Sequence, residues 1–144
     1  MKQLLMICLV VFATTSTFAQ EWGDVDKNKV TMREVAPIWP GCESGSATQR
    51  DNCFNTKLAT HIAKNYRYPA EAYKNNEQGR VVVEFIINTE GMVEIQKVSG
   101  GSKALQEEAK RNIGTIPKMA KPGMLAGKPR AIQYTVPITF KTGK

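Results

Sequence analysis

Hydrophobic and polar residues alternate along three stretches of the chain. Val81, Val83, Phe85 and Ile87 interleave with Val82, Glu84, Ile86 and Asn88. That period of two places one apolar row on one face of a pleated strand. Asn88-Thr89-Glu90-Gly91 follows as a turn whose glycine meets a need for positive φ. Val93 and Ile95 then alternate with Glu94 and Gln96, so residues 79–101 predict a hairpin with one wet face. Near the C-terminus, Ile132, Tyr134, Val136, Ile138 and Phe140 alternate with Ala131, Gln133, Thr135, Pro137 and Thr139. Pro137 cannot donate to a ladder, which predicts that this last strand lies at a sheet edge.

Two other segments carry helical spacing. Phe54, Leu58 and Ile62 recur every four residues and form a core stripe, in a helix expected to begin near Asp51 or Asn52. His61 lies beside that stripe and reads as a satisfied helix residue. Tyr68-Pro69 ends this helix and opens a short one containing Ala70, Ala72 and Tyr73. Gly100-Gly101-Ser102 stops the hairpin and caps a further helix with the stripe Leu105, Ala109 and Ile113. Glu107 and Arg111 stand four apart in the favourable order, and Gly114 and Pro117 end the element. Residues 45–50 and 119–129 read as loops. Residues 21–43 read as an extended arm anchored by Trp39, flexible near Asp24 to Lys29 and held open by Pro37 and Pro40. A hairpin with one wet face needs cover on the other, and the helices are suited to supply it.

At 144 residues the chain is one domain plus a short N-terminal piece, and 42% hydrophobic content allows a real core. The formal charge of +7 comes from 20 basic and 13 acidic residues spread from Lys27 to Lys144. Without a basic run or an interleaved aromatic ladder, this favours a solvated basic surface over nucleic-acid binding. Residues 1–19 read as a signal peptide: Lys2, an apolar run from Leu4 to Ala13, and the small-residue site Thr17-Phe18-Ala19. The run is about half of the ~20 residues that a spanning helix needs. Cleavage near Ala19 and a periplasmic location are therefore expected, with inner-membrane anchoring as the alternative for an uncleaved chain. Export favours a disulfide between Cys42 and Cys53, the two cysteines that remain. With His61 as the only histidine, these residues make a poor zinc site. No metal or cofactor is expected. The absence of a convergent carboxylate pair, a Ser–His–Asp arrangement that can be placed or a phosphate loop argues against an enzyme.

From about Cys53 to Phe140 the chain resembles the C-terminal domain of TonB, the energy transducer for outer-membrane receptors. The resemblance rests on an ordered set of short matches. These are Tyr68-Pro69 with Ala70 and Ala72, Gly79 to Phe85, Asn88 to Val93, Val98-Ser99-Gly100-Gly101 leading into Leu105 to Ala109, Gly127-Lys128-Pro129, and Val136 to Phe140. Pro40-Gly41-Cys42 with Cys53 resembles the disulfide-bearing variant of the domain. Met119 stands where family members usually carry an aromatic. The resemblance implies an α+β fold with two helices on a three-stranded antiparallel sheet and the last strand at one edge. The division it suggests is a signal peptide at 1–19, an arm and disulfide loop at 20–52, and the domain at 53–144. It further implies that the edge captures an extended receptor segment, the TonB box, by strand addition. Asn65, Tyr68, Arg130, Gln133 and Thr135 are then the peptide-binding residues. The sequence is expected to supply this receptor-facing module without the membrane helix and Pro-rich spacer of a complete transducer. The competing expectation is a secreted structural domain whose edge pairs with a second copy, as a homodimer, or with another envelope protein.

Overall fold

The computed structural model describes residues 34–144; the expected signal peptide and the arm before Glu34 lie outside them. Strand β1 (Glu34–Val35) precedes helix α1 (Ala47–Asn65) and a single-turn helix α2 (Ala70–Lys74). The hairpin follows as β2 (Gly79–Ile87) and β3 (Val93–Ser99), then α3 (Lys103–Gly114), two short strands β4 (Met124–Leu125) and β5 (Lys128–Pro129), and β6 (Ile132–Phe140). The main sheet has the antiparallel order β3-β2-β6, which leaves β6 at an edge. The hairpin, the short helix after Pro69, the capped helix after Ser102 and the edge position of the last strand all follow the sequence reading.

One face of the sheet carries the core. Val81, Val83, Phe85 and Ile87 on β2 are fully buried, while Val82, Glu84 and Ile86 stay half-buried on the other face. Phe54 and Leu58 of α1, Leu105, Ala109 and Ile113 of α3, and Ile138 and Phe140 of β6 pack against that row. Gly91 turns the hairpin at φ +83°, and its carbonyl accepts the N–H of Met119. Met119 is buried directly against the turn. Gly100 leaves β3 at φ +81°, with its Cα so close to the Arg80 carbonyl that a Cβ would collide with it.

Three details depart from the sequence reading. First, α1 begins at Ala47, four residues before Asp51, because Ser46 and Gln49 form a reciprocal capping box. Residues 47–50 are therefore helix, not loop, and Cys53 lies inside α1. Second, residues 119–129 are not a structureless loop. β4 and β5 form a tight hairpin that pairs with β1, and Ile38 bridges to Lys121, so the end of the arm is stitched to this segment. Third, Arg111 pairs with Glu108 at 2.6 Å, while Glu107 faces Lys110 at 3.6 Å. Glu108 is favoured because its other contact, the backbone N–H of Arg67, already holds it at that spot.

The arm is pinned twice more. Trp39 is buried and meets Phe54 edge-on at 5.8 Å. Cys42 is bonded to Cys53, with Cα atoms 5.8 Å apart. Closing a ring this short contributes on the order of 2–3 kcal/mol.

Candidate functional site

Backbone direction along the last strand follows from one hydrogen bond in the hairpin. Asn88 donates its N–H to Met92 O, on the β3 side. Backbone groups alternate sides along a strand, so even-numbered residues of β2 face β3 and odd-numbered ones face β6. In β6, the partners of those odd residues are Ile132, Tyr134, Val136, Ile138 and Phe140. Their backbone groups are spent on β2. Gln133, Thr135, Pro137 and Thr139 turn theirs outward, and all four residues are exposed. Pro137, paired with Val82, thus spends its missing donor on the open side, where no ladder bond is lost. The edge offers three N–H donors and four carbonyl acceptors over seven residues.

The opposite edge is poorer. β3 is shorter, Gln96 is bulged out where the register against β2 shifts between Glu84 and Phe85, and exposed Lys97 stands next to it. Bulges and edge lysines discourage strand addition.

Beside the open half of β6 runs an apolar groove of about 550 Å³, lined by Ala59, Ile62, Ala63 and Tyr66 of the α1 side and by Val136 and Pro137. Tyr66 stacks on Phe140 at 5.1 Å, and Tyr68 meets Phe140 edge-on at 5.6 Å. Tyr68 donates its hydroxyl to Glu77 O, so its polar end is already committed. Burial pushes the Tyr66 and Tyr68 phenols up, and Tyr134, between Phe54 and Phe85, is pushed up furthest. Burial is the main cause for Tyr134, followed by the Asp51 and Glu34 carboxylates.

The C-terminal end of α1 is held by α3. Asn112 donates to Ile62 O at 2.9 Å, and Arg111 donates to Asn65 O. These bonds satisfy helix-end carbonyls that have no intrahelical partner. The hydrogen bonds to Glu108 raise the Arg111 pKa and keep the guanidinium charged. The side-chain oxygen of buried Asn112 has no hydrogen-bond partner among the described residues.

The five residues expected to bind peptide are distributed unevenly. Gln133 and Thr135 share the open edge. Asn65 ends α1 one residue before Tyr66, but its amide is turned inward, donating to His61 O at 2.9 Å and facing His61 Nδ1 at 3.3 Å. Tyr68 forms part of the aromatic floor below Phe140. Arg130 is exposed between β5 and β6, at the far end of the strand, where its N–H bonds to Gly123 O. The structure therefore joins Gln133 and Thr135 to each other, sets Asn65 and Tyr68 at one end and leaves Arg130 at the other. Sequence reasoning missed Ala59, Ala63 and Val136 as lining residues. The available signal was the pair of small residues four apart beside the Phe54-Leu58-Ile62 stripe.

Among the described residues no helix is long and apolar enough to cross a membrane, and no cluster of three His, Cys, Asp or Glu side chains could hold a metal ion. Residues 64–142, from the end of α1 through β6, match the family described as Gram-negative bacterial TonB protein C-terminal. The chain belongs to the TonB C-terminal family. It is also similar to Protein TonB of Pasteurella multocida (strain Pm70), at 30% identity over 105 residues, covering 67% of this chain and 37% of that protein. The chain thus spans little more than a third of that relative's length. Two solution structures of the Helicobacter pylori TonB C-terminal domain align at 24% and 23% identity. They cover 69% and 63% of this chain and 85% and 96% of theirs, with TM-scores of 0.43 and 0.38. The TonB family match includes both the open β6 edge and the Tyr66–Phe140 stack, while the disulfide-pinned arm lies upstream of it.

Proposed function

We propose that this chain is an exported, non-catalytic binding module of the periplasm that captures an extended segment of an outer-membrane TonB-dependent receptor by adding it as a strand to β6. The observation that carries this reading is the outward-facing backbone of Gln133, Thr135, Pro137 and Thr139, an unpaired template beside an apolar groove. Membership in the TonB C-terminal family supports the partner class. Main-chain hydrogen bonds supply most of the affinity, each worth about 0.5–1.5 kcal/mol net. Five of them give at most about 7.5 kcal/mol, short of the roughly 8 kcal/mol of micromolar binding even before the peptide is ordered. Apolar burial in the groove adds to them, and binding between about 1 μM and 1 mM is expected.

The test is calorimetric titration of the full chain with synthetic peptides carrying TonB boxes, alongside sedimentation of the free protein. The expected result is a monomer that binds at least one box peptide with a dissociation constant between about 1 μM and 1 mM. A stable dimer that binds none of the peptides would favour self-association through the same edge and overturn the receptor reading.

A further inference from the structure

We propose, resting on the strand-addition reading above, that the groove between α1 and β6 selects the captured segment by one large, uncharged apolar side chain, carried by the residue that pairs with Val136. Paired residues on neighbouring strands point to the same face of a sheet. Val136 points to the helix-bearing face and is only half-buried, since its neighbours across the groove include the small side chains of Ala59 and Ala63. A residue added opposite Val136 therefore enters the space bounded by Ala59, Ile62, Ala63, Tyr66 and Pro137. Of the residues on either side of it, the one opposite Thr135 exchanges both main-chain bonds, the one opposite Pro137 only donates to its carbonyl, and both point to the other face.

Charge selects the occupant. All six lining residues are uncharged, so an ionised side chain entering the groove would lose water without gaining a counter-charge. The whole chain carries +7, which sets two copies against each other and favours a neutral or acidic partner segment over a second copy of this protein. The groove is open to solvent and bordered by the small side chains of Ala59 and Ala63, which leaves room for leucine or phenylalanine. Alanine leaves the groove unfilled.

The test uses a neutral, threonine-rich nonapeptide with one central guest position, titrated into the full chain. Leucine and phenylalanine guests are expected to bind about tenfold more tightly than alanine, on the scale of burying a few methylene groups. An aspartate guest is expected to bind more weakly than alanine. Ala63→Phe, at an exposed helix position, narrows the groove from the protein side. It is expected to shrink the advantage of the leucine and phenylalanine guests over alanine. Thr135→Pro separates the two ideas. If it weakens every guest alike while guest identity and Ala63→Phe have no effect, groove selection is overturned and edge capture stands. If it changes nothing while leucine still binds better than alanine, both fail, because the groove then binds something other than an added strand. Dimers that leucine-guest peptide does not dissociate would place a second copy on the edge and overturn the proposal.

Discussion

Phe85→Ala is expected to cost about 3–5 kcal/mol of folding stability, the range for truncating a buried phenylalanine. Phe85 lies on the central strand with no exposed surface. Its ring stacks on Tyr134 at 5.6 Å, and Tyr134 stacks in turn on Phe54 at 5.1 Å. The Tyr134 ring thus connects β2, β6 and α1, and truncating Phe85 opens a cavity against it. Domains of this kind are stable by only about 5–15 kcal/mol, so thermal or urea unfolding reads the loss easily. Ile86→Ala is the internal comparison: it lies on the opposite face of the same strand, half-buried, and is expected to cost about 1 kcal/mol. Equal losses for the two substitutions would mean that the apolar row of β2 does not hold the core.

Thr135→Pro is expected to leave the protein folded and weaken peptide binding about tenfold or more. Thr135 is exposed and turns its N–H away from β2, so proline there deletes an outward donor and leaves every β2–β6 bond intact. The natural Pro137 two residues on already occupies an equivalent position without disrupting the strand. The binding loss exceeds one hydrogen bond because the incoming carbonyl would face a proline ring and remain unpaired. Asn65→Ala is expected to matter less, since its amide is engaged with His61 and not with the edge. Circular dichroism and calorimetry on the same samples check fold and affinity together. A folded Thr135→Pro protein with unchanged affinity would remove β6 as the capturing strand.

Elements with a long apolar period were legible in the sequence. β2 and β6 each span nine residues, enough for alternation to show, and Ser102 marks the start of α3. The start of α1 was not, because Ala47-Thr48-Gln49-Arg50 carries no apolar stripe and only Ser46 and Gln49 signal the cap. The β4–β5 hairpin has two-residue strands, too short for a period. Its turn places Ala126 at φ +51° before Gly127 at +76°, where asparagine or aspartate would have marked the turn. The bulge at Gln96 leaves no trace in the alternation that precedes it. Gln133 and Thr135 could be assigned to the edge from Pro137 alone. The groove could not, because Ala63 and Val136 are brought together only by packing α1 alongside β6.

Amide hydrogen exchange along β6 tests the central claim most directly. In the free protein, the N–H groups of Tyr134, Val136 and Ile138 should be protected by β2, while those of Gln133, Thr135 and Thr139 exchange quickly. Saturation with a TonB-box peptide should slow exchange at Gln133, Thr135 and Thr139 and change the other three little. Protection of the outward three before any peptide is added, or no change in them once bound peptide is detected by calorimetry, would contradict capture at this edge.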